Sequence, residues 1–220
     1  HYPLRRQRQM CIRDRWKASV MSHKIYICDF DDSFTFNIFS TLKEISPEIE
    51  LEVVPLKRLL SFFQIMKNDE SKSVIILGPG PGNPKEYEFL YNSIRPLLNK
   101  DNLFFMGVCL GHQILWNMLG ASIEHSKFPI HGHVVKYSLD SKLSKSIGLS
   151  SKISVQRYNS LAVKLDRTIV KDYGSAHFHF EDDELIISRL KNILSFQFHP
   201  ESVGTTCPKS FFGPLFEFLL

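Results

Sequence analysis

Short apolar runs alternate with amphipathic stretches through the first half of this 220-residue chain. Lys24–Asp29, Glu50–Leu56, Ser73–Leu77 and Asn102–Val108 read as strands. The stretches between them read as helices: one ending near Ile45, then Lys57–Lys67, Glu86–Leu98 with a disturbance at Pro96, and Leu110–Leu119. A strand with one face in water alternates apolar and polar residues, whereas a strand covered on both faces is apolar throughout. The βαβαβα order with fully apolar strands therefore predicts a parallel sheet with helices on both faces.

The second half reads differently. His131–Leu139, Ser154–Tyr158, Thr168–Asp172, Glu184–Arg189 and Ile193–Phe198 are short strand-like segments joined by polar turns, and are expected to extend the sheet in antiparallel fashion. Pro208–Leu220 reads as a closing helix interrupted at Gly213-Pro214, with Phe211, Phe212, Phe216 and Phe218 packing it. No repeat or low-complexity linker divides the chain, so one domain is expected.

Charge is unevenly placed. The net charge is +4, but residues 1–20 hold six bases and one acid, a net of +5. Removing these from 27 bases and 23 acids leaves 21 and 22, a net of −1. The hint of a nucleic-acid partner disappears with the first twenty residues. That segment has no apolar h-region and loosely resembles an Arg-rich transit peptide or a basic arm. It is read instead as a non-native or disordered extension, with the domain at 21–220, and a chain starting at Met21 is expected to keep full activity. Hydrophobic residues at 43% and charged residues at 23% fit a soluble globular protein. No apolar run approaches the roughly 18–20 residues that span a bilayer, so no membrane partner is expected. Cys28, Cys109 and Cys207 have no regular spacing, so no disulfide framework is expected and a cytoplasmic setting is.

Three motifs carry chemistry. Gly107-Val-Cys109-Leu-Gly111 lies between a buried strand and a helix, the setting of a nucleophile elbow. Its glycines permit a sharp turn and close approach, and the helix N-terminus favours a thiolate. The N–H of Leu110 is placed to donate to an oxyanion. A small core cysteine is the bland alternative. His199-Pro-Glu201 follows an apolar strand, and residues two apart in extended chain face the same side. His199 can then serve as base and Glu201 can orient it, although an incidental ion pair at a strand end would look the same. Gly78-Pro-Gly-Pro-Gly82 follows a third strand, so it sits at the carboxyl edge where ligands bind in open α/β sheets. Its N–H groups at Gly78, Gly80 and Gly82 could supply a second oxyanion donor. A phosphate loop is disfavoured because no Lys-Ser/Thr follows, and a plain turn stays open.

Asp32-Ser-Phe-Thr-Phe-Asn37, Gly78-Pro-Gly-Pro-Gly-Asn-Pro84, Gly107-Val-Cys-Leu-Gly-His-Gln113, Arg157-Tyr-Asn-Ser-Leu161 and Gln197-Phe-His-Pro-Glu-Ser202 occur in this order. Together they resemble the class I (triad) glutamine amidotransferases. Within that class they are most similar to the small subunits of anthranilate synthase and aminodeoxychorismate synthase. The resemblance implies a three-layer α/β/α flavodoxin-like fold with a mostly parallel sheet and an antiparallel extension. It implies that Cys109 attacks the amide carbon of L-glutamine, that His199 and Glu201 complete the triad, and that Gly80 and Leu110 form the oxyanion hole. Glutamine contacts map onto Gly80, Pro81, Gly82, Gln113, Ser160 and Leu161. The ammonia would pass to a large chorismate-binding synthase subunit, in a heterodimer or heterotetramer, for anthranilate or 4-amino-4-deoxychorismate. No cofactor is implied for the glutaminase, while the large synthase partner is expected to use Mg2+. A glutaminase serving GMP or carbamoyl phosphate synthesis is the first rival, and a catalytically silent regulatory relative the second.

The sequence departs from the family pattern at Phe30-Asp31, at Asn159 where a His is usual, at Ile130-His-Gly-His133 and at Cys207-Pro-Lys209. His131, His133, His177 and His179 have i, i+2 spacing but no matching third ligand, so they are expected to be solvent-facing strand residues rather than a metal site. His112 is expected to be structural. Cys28 is expected in the core, Cys207 at the surface, and Glu181-Asp-Asp-Glu184 in a solvated turn.

Overall fold

A computed structural model of the protein describes residues 23–166 and 175–220. The basic extension at residues 1–20 and the strand expected at Thr168–Asp172 lie outside the described residues.

The first half follows the predicted alternation. Strand β1 (Lys24–Asp29) leads to helix α1 (Thr35–Ile45), β2 (Glu50–Pro55) to α2 (Leu59–Met66), and β3 (Ser73–Leu77) to the short α3 (Tyr91–Ile94). Strand β4 (Leu103–Val108) leads to α4 (Leu110–Met118). The expected helix at Glu86–Leu98 is instead a succession of 3-10 turn (Pro84–Leu90), α3 and 3-10 turn (Arg95–Asn99). Pro84 and Pro96 sit at the first turns of the two 3-10 pieces, where a missing N–H costs least. Asn83 caps the first piece reciprocally with Glu86.

Side chains along each central strand alternate between two separate cores. Ile75 and Leu77 of β3 and Leu103 and Phe105 of β4 join α2, α3 and α4 on one face. Val74 and Ile76, with Phe104, Met106 and Val108, join α1 and the C-terminal helix on the other. Strands buried on both faces explain the unbroken apolar runs and make three layers.

The remaining described strands are β5 (Ser122–His125), β6 (His133–Ser138), β7 (Lys152–Arg157), β8 (Leu161–Lys164), β9 (His177–Glu181), β10 (Glu184–Arg189) and β11 (Ile193–Phe196). The short α5 (Ser141–Ser146) and the closing α6 (Gly213–Leu219) complete the described elements. The central sheet has the order β2-β1-β3-β4-β11-β10-β9. Its first five strands are parallel in the flavodoxin-like order.

The antiparallel extension is smaller than the sequence suggests. Among the described strands of this sheet only β10 runs against the others, because β9 reverses again beside it. The segments expected at His131–Leu139 and Ser154–Tyr158 do not join the sheet: β6 and β7 pair with each other, and β5 pairs with β8. The closing segment breaks where expected, as a 3-10 turn over Pro208–Phe212 before α6, with Phe211, Phe212 and Phe216 buried.

Candidate active site

The parallel register brings three loops to one edge of the sheet. Leu77 is level with Gly107, and Val108 with Phe196, so Gly78–Gly82, Cys109 and Gln197–Glu201 all leave from the carboxyl ends of adjacent strands. Cys109 occupies φ 51°, ψ −100°, a conformation that L-residues avoid, at the N-cap of α4. Such strain costs on the order of 1–3 kcal/mol and persists only where the surroundings impose it. The surroundings are visible. Cys109 N–H donates to the Phe196 carbonyl at 2.8 Å, and Gly111 N–H donates to the Gly78 carbonyl at 3.1 Å. A Cβ on Gly111 would lie 2.0 Å from the Leu77 carbonyl oxygen. The glycines thus let the elbow press against β3, and the thiol is left half-exposed at the helix start.

Leu110 opens α4, so its N–H is among those with no partner within the helix. Gly80 lies against it: a Cβ there would meet Leu110 Cδ2 at 2.4 Å and Phe30 Cβ at 2.6 Å. The two expected oxyanion donors therefore come from loops in direct contact. Gly82 has φ 80°, and the Pro81 carbonyl accepts from the Tyr87 hydroxyl at 3.2 Å, which fixes the end of this loop.

His199 is buried and its Nδ1 is 2.7 Å from Glu201 Oε1. Burial opposes the charged imidazole, but the neighbouring Cys109 sulfur, to which it hydrogen-bonds, and the Glu201 carboxylate outweigh it and hold His199 well above its usual range. Cys109, His199 and Glu201 therefore form one connected line. The rings of Phe34 and Tyr158 lie 4.8 and 5.1 Å from the imidazole, closing two of its sides. The segment carrying His199 is latched to β7. His199 N–H donates to the Gln156 carbonyl, and Gln156 Oε1 accepts from Gly204 N–H and the Ser202 hydroxyl.

The second motif cluster is built on Arg157. Its guanidinium is buried and donates to Asn159 Oδ1 at 2.9 Å, Tyr137 Oη at 2.9 Å and Glu184 Oε2 at 3.1 Å. Glu184 is thus an interior ion-pair partner and not part of the solvated turn expected from sequence. The turn itself is Asp182-Asp183, both at positive φ. Asn159 Nδ2 donates to the Leu161 carbonyl at 3.0 Å, and Gln113 Nε2 donates to the same oxygen at 2.9 Å. Ser160 is exposed and Leu161 half-buried beside them.

His112 is completely buried. Its Nε2 lies 3.0 Å from the Leu185 carbonyl, which can only accept, so that nitrogen carries the proton and Nδ1 accepts from Ser195 Oγ at 2.8 Å. Burial pushes its imidazole down to about 3. His112 is structural, as expected. His177 and His179 are half-buried rather than solvent-facing, because α5 packs on β9, and His179 meets the Tyr137 ring edge-to-face at 5.2 Å. Among the described residues no group of three or more His, Cys, Asp or Glu could hold a metal ion. Cys28 is buried and its thiol is pushed up by burial, while Cys207 is exposed.

The family model for class-I glutamine amidotransferases matches residues 26–217. The chain belongs to this family. It is 33% identical over 187 residues to anthranilate synthase component 2 of Saccharolobus solfataricus, covering 82% of this chain and 91% of that one. It is 31% identical over 192 residues to aminodeoxychorismate synthase component 2 of Serratia marcescens, covering 81% and 92%. It is also 29% identical to the bifunctional protein TrpGD of Thermotoga maritima, but spans only 31% of that longer chain. A solved glutamine amidotransferase of Thermotoga maritima superposes with a TM-score of 0.60, at 17% identity over 82% of this chain and 77% of that one. At that identity the likeness speaks for the amidotransferase fold alone.

Proposed function

We propose that this amidotransferase hydrolyses L-glutamine through a thioester on Cys109 and supplies ammonia to a large, chorismate-binding synthase subunit. The observation that carries the reading is the Cys109 elbow, strained and half-exposed, in line with His199 and Glu201. The Cys109 sulfur attacks the γ-amide carbon, and the carbonyl oxygen gains negative charge beside the N–H groups of Gly80 and Leu110. The Cys109 sulfur and the Glu201 carboxylate favour the protonated imidazole over burial, so His199 can give its proton to the departing ammonia. The same nitrogen then takes a proton from water as it attacks the thioester, and glutamate leaves. Glu201 keeps the ring in the required tautomer and orientation.

Glutamine would lie along Gly80-Pro81-Gly82, Gln113, Ser160 and Leu161. Gln113 donates inward through Nε2, so its Oε1 is the atom left to accept from the substrate's α-ammonium group. This half-reaction uses no metal or organic cofactor, and Mg2+ belongs to the synthase partner. The names carried by the component 2 relatives support a chorismate-using partner. The pair would assemble as a heterodimer or heterotetramer and work in the cytoplasm. The test is to combine the chain with anthranilate synthase and aminodeoxychorismate synthase large subunits and measure glutamine-dependent product. Amination of chorismate by either pair, with faster ammonia release than the chain alone, supports the reading. Stimulation only by a GMP or carbamoyl phosphate synthetase partner would contradict it.

A further inference from the structure

Gln197 lies in the family motif before the His-Pro-Glu triplet, is fully buried, and has its amide nitrogen 3.9 Å from Cys109 Sγ. We propose that Gln197 is a further catalytic residue, whose carboxamide donates a hydrogen bond to the Cys109 sulfur and stabilises it as a thiolate both before attack and on expulsion from the thioester.

The direction of that amide is dictated by its neighbours. The Leu161 carbonyl can only accept, so both Asn159 and Gln113 must present their NH2 groups to it. Gln113 Nε2 also lies 3.2 Å from the Gln197 side chain, so Gln197 must turn its oxygen there. Its NH2 then faces Cys109 and has no alternative orientation that leaves the chain satisfied. At the far end Arg157, which can only donate, holds Asn159 Oδ1 and is itself fixed by Glu184. A buried line of polar groups therefore runs from Glu184 through Arg157, Asn159, the Leu161 carbonyl, Gln113 and Gln197 to the nucleophile. Of its side chains, Asn159 and Gln113 are positioning residues for the sulfur, and Gln197 is the one that touches it. None of the three amides, Asn159, Gln113 and Gln197, titrates.

The inference rests on Cys109 being the nucleophile, and thiol alkylation separates the two claims because it needs neither glutamine turnover nor a partner. Iodoacetamide modification of Cys109 is followed by peptide mass spectrometry across pH in the full chain, with Cys207 as the exposed internal reference. In Gln197→Met, which keeps the length and removes the donor, the Cys109 profile should move to higher pH by about one unit. In the reconstituted complex kcat should fall about tenfold, with KM for glutamine changed by less than about threefold. Gln197→Glu keeps the shape and replaces the donor with an acceptor once ionised, so it should shift the profile the same way even if the Met variant fails to fold. A Cys109 profile superimposable on that of the parent chain in either folded variant would overturn the proposal. Cys109 reacting no faster than Cys207 in the parent chain would instead refute the nucleophile assignment.

Discussion

At the scale of single residues, the site depends on positions that ordinary side chains would avoid. Cys109 holds a positive φ, and His112 holds a neutral imidazole in the core with no exposure to solvent. The second of these has a measurable consequence. His112 titrates near 6.5 when unfolded and near 3 when folded, so between those values the unfolded chain binds more protons. Its contribution to stability is complete above pH 6.5 and is lost as pH falls toward 3, by on the order of a few kcal/mol. Urea denaturation from about pH 7 to about pH 4 should show this loss. His112→Asn should lower the midpoint at neutral pH and flatten its dependence on pH; a slope equal to that of the parent chain would show that other groups carry the acid sensitivity. Cys109, His199 and Glu201 are legible as candidates in the sequence because Gly-x-Cys-x-Gly and His-Pro-Glu are short, local patterns. Gln197 is less so. Its sequence signals are its place in the Gln197-Phe-His-Pro-Glu-Ser202 motif and its phase with His199 and Glu201, neither of which says what it touches, and the amide chain that gives it meaning closes through Gln113, 84 residues away.

At the scale of elements, the fit between α4 and β3 sets where Cys109 stands. Gly111 is the contact point, with no room for a Cβ beside the Leu77 carbonyl. Gly111→Ala should push α4 away from β3, cost about 2–3 kcal/mol by urea denaturation and lower glutamine hydrolysis by more than about a hundredfold. The first-half strands and helices can be read from sequence because double-sided burial leaves an unbroken apolar signature. The pairing of the second-half strands cannot. Segments such as Ser122–His125 and His133–Ser138 are short with mostly exposed faces, and nothing local says which partner they take. Their partners are chosen by what the chain needs elsewhere: β7 pairs with β6 and also receives the His199 segment through Gln156. The continuous helix expected at Glu86–Leu98 fails for a different reason. Two prolines favour short 3-10 pieces, each beginning at its own first turn.

At the scale of the whole molecule, two layers of helices hold one sheet, and the carboxyl edge of that sheet gathers loops that lie far apart in sequence. Arg157 and Glu184 connect the outer ribbon β6–β7 to strand β10 through a buried ion pair. Removing one partner leaves a charge uncompensated in the interior, which typically costs about 3–5 kcal/mol. Arg157→Met should therefore destabilise strongly in urea, and adding Glu184→Gln should recover part of the loss; a single variant within about 0.5 kcal/mol of the parent chain would refute the pair's role. The central claim is that these loops present Cys109 as the nucleophile toward glutamine. It is tested most directly by ammonia release from glutamine in the complex with the large synthase partner, comparing the parent chain with Cys109→Ala after circular dichroism shows both folded. The expected result is a variant that binds the partner and releases no ammonia above background. Glutamine-dependent ammonia release by folded Cys109→Ala at a rate near that of the parent chain would contradict it.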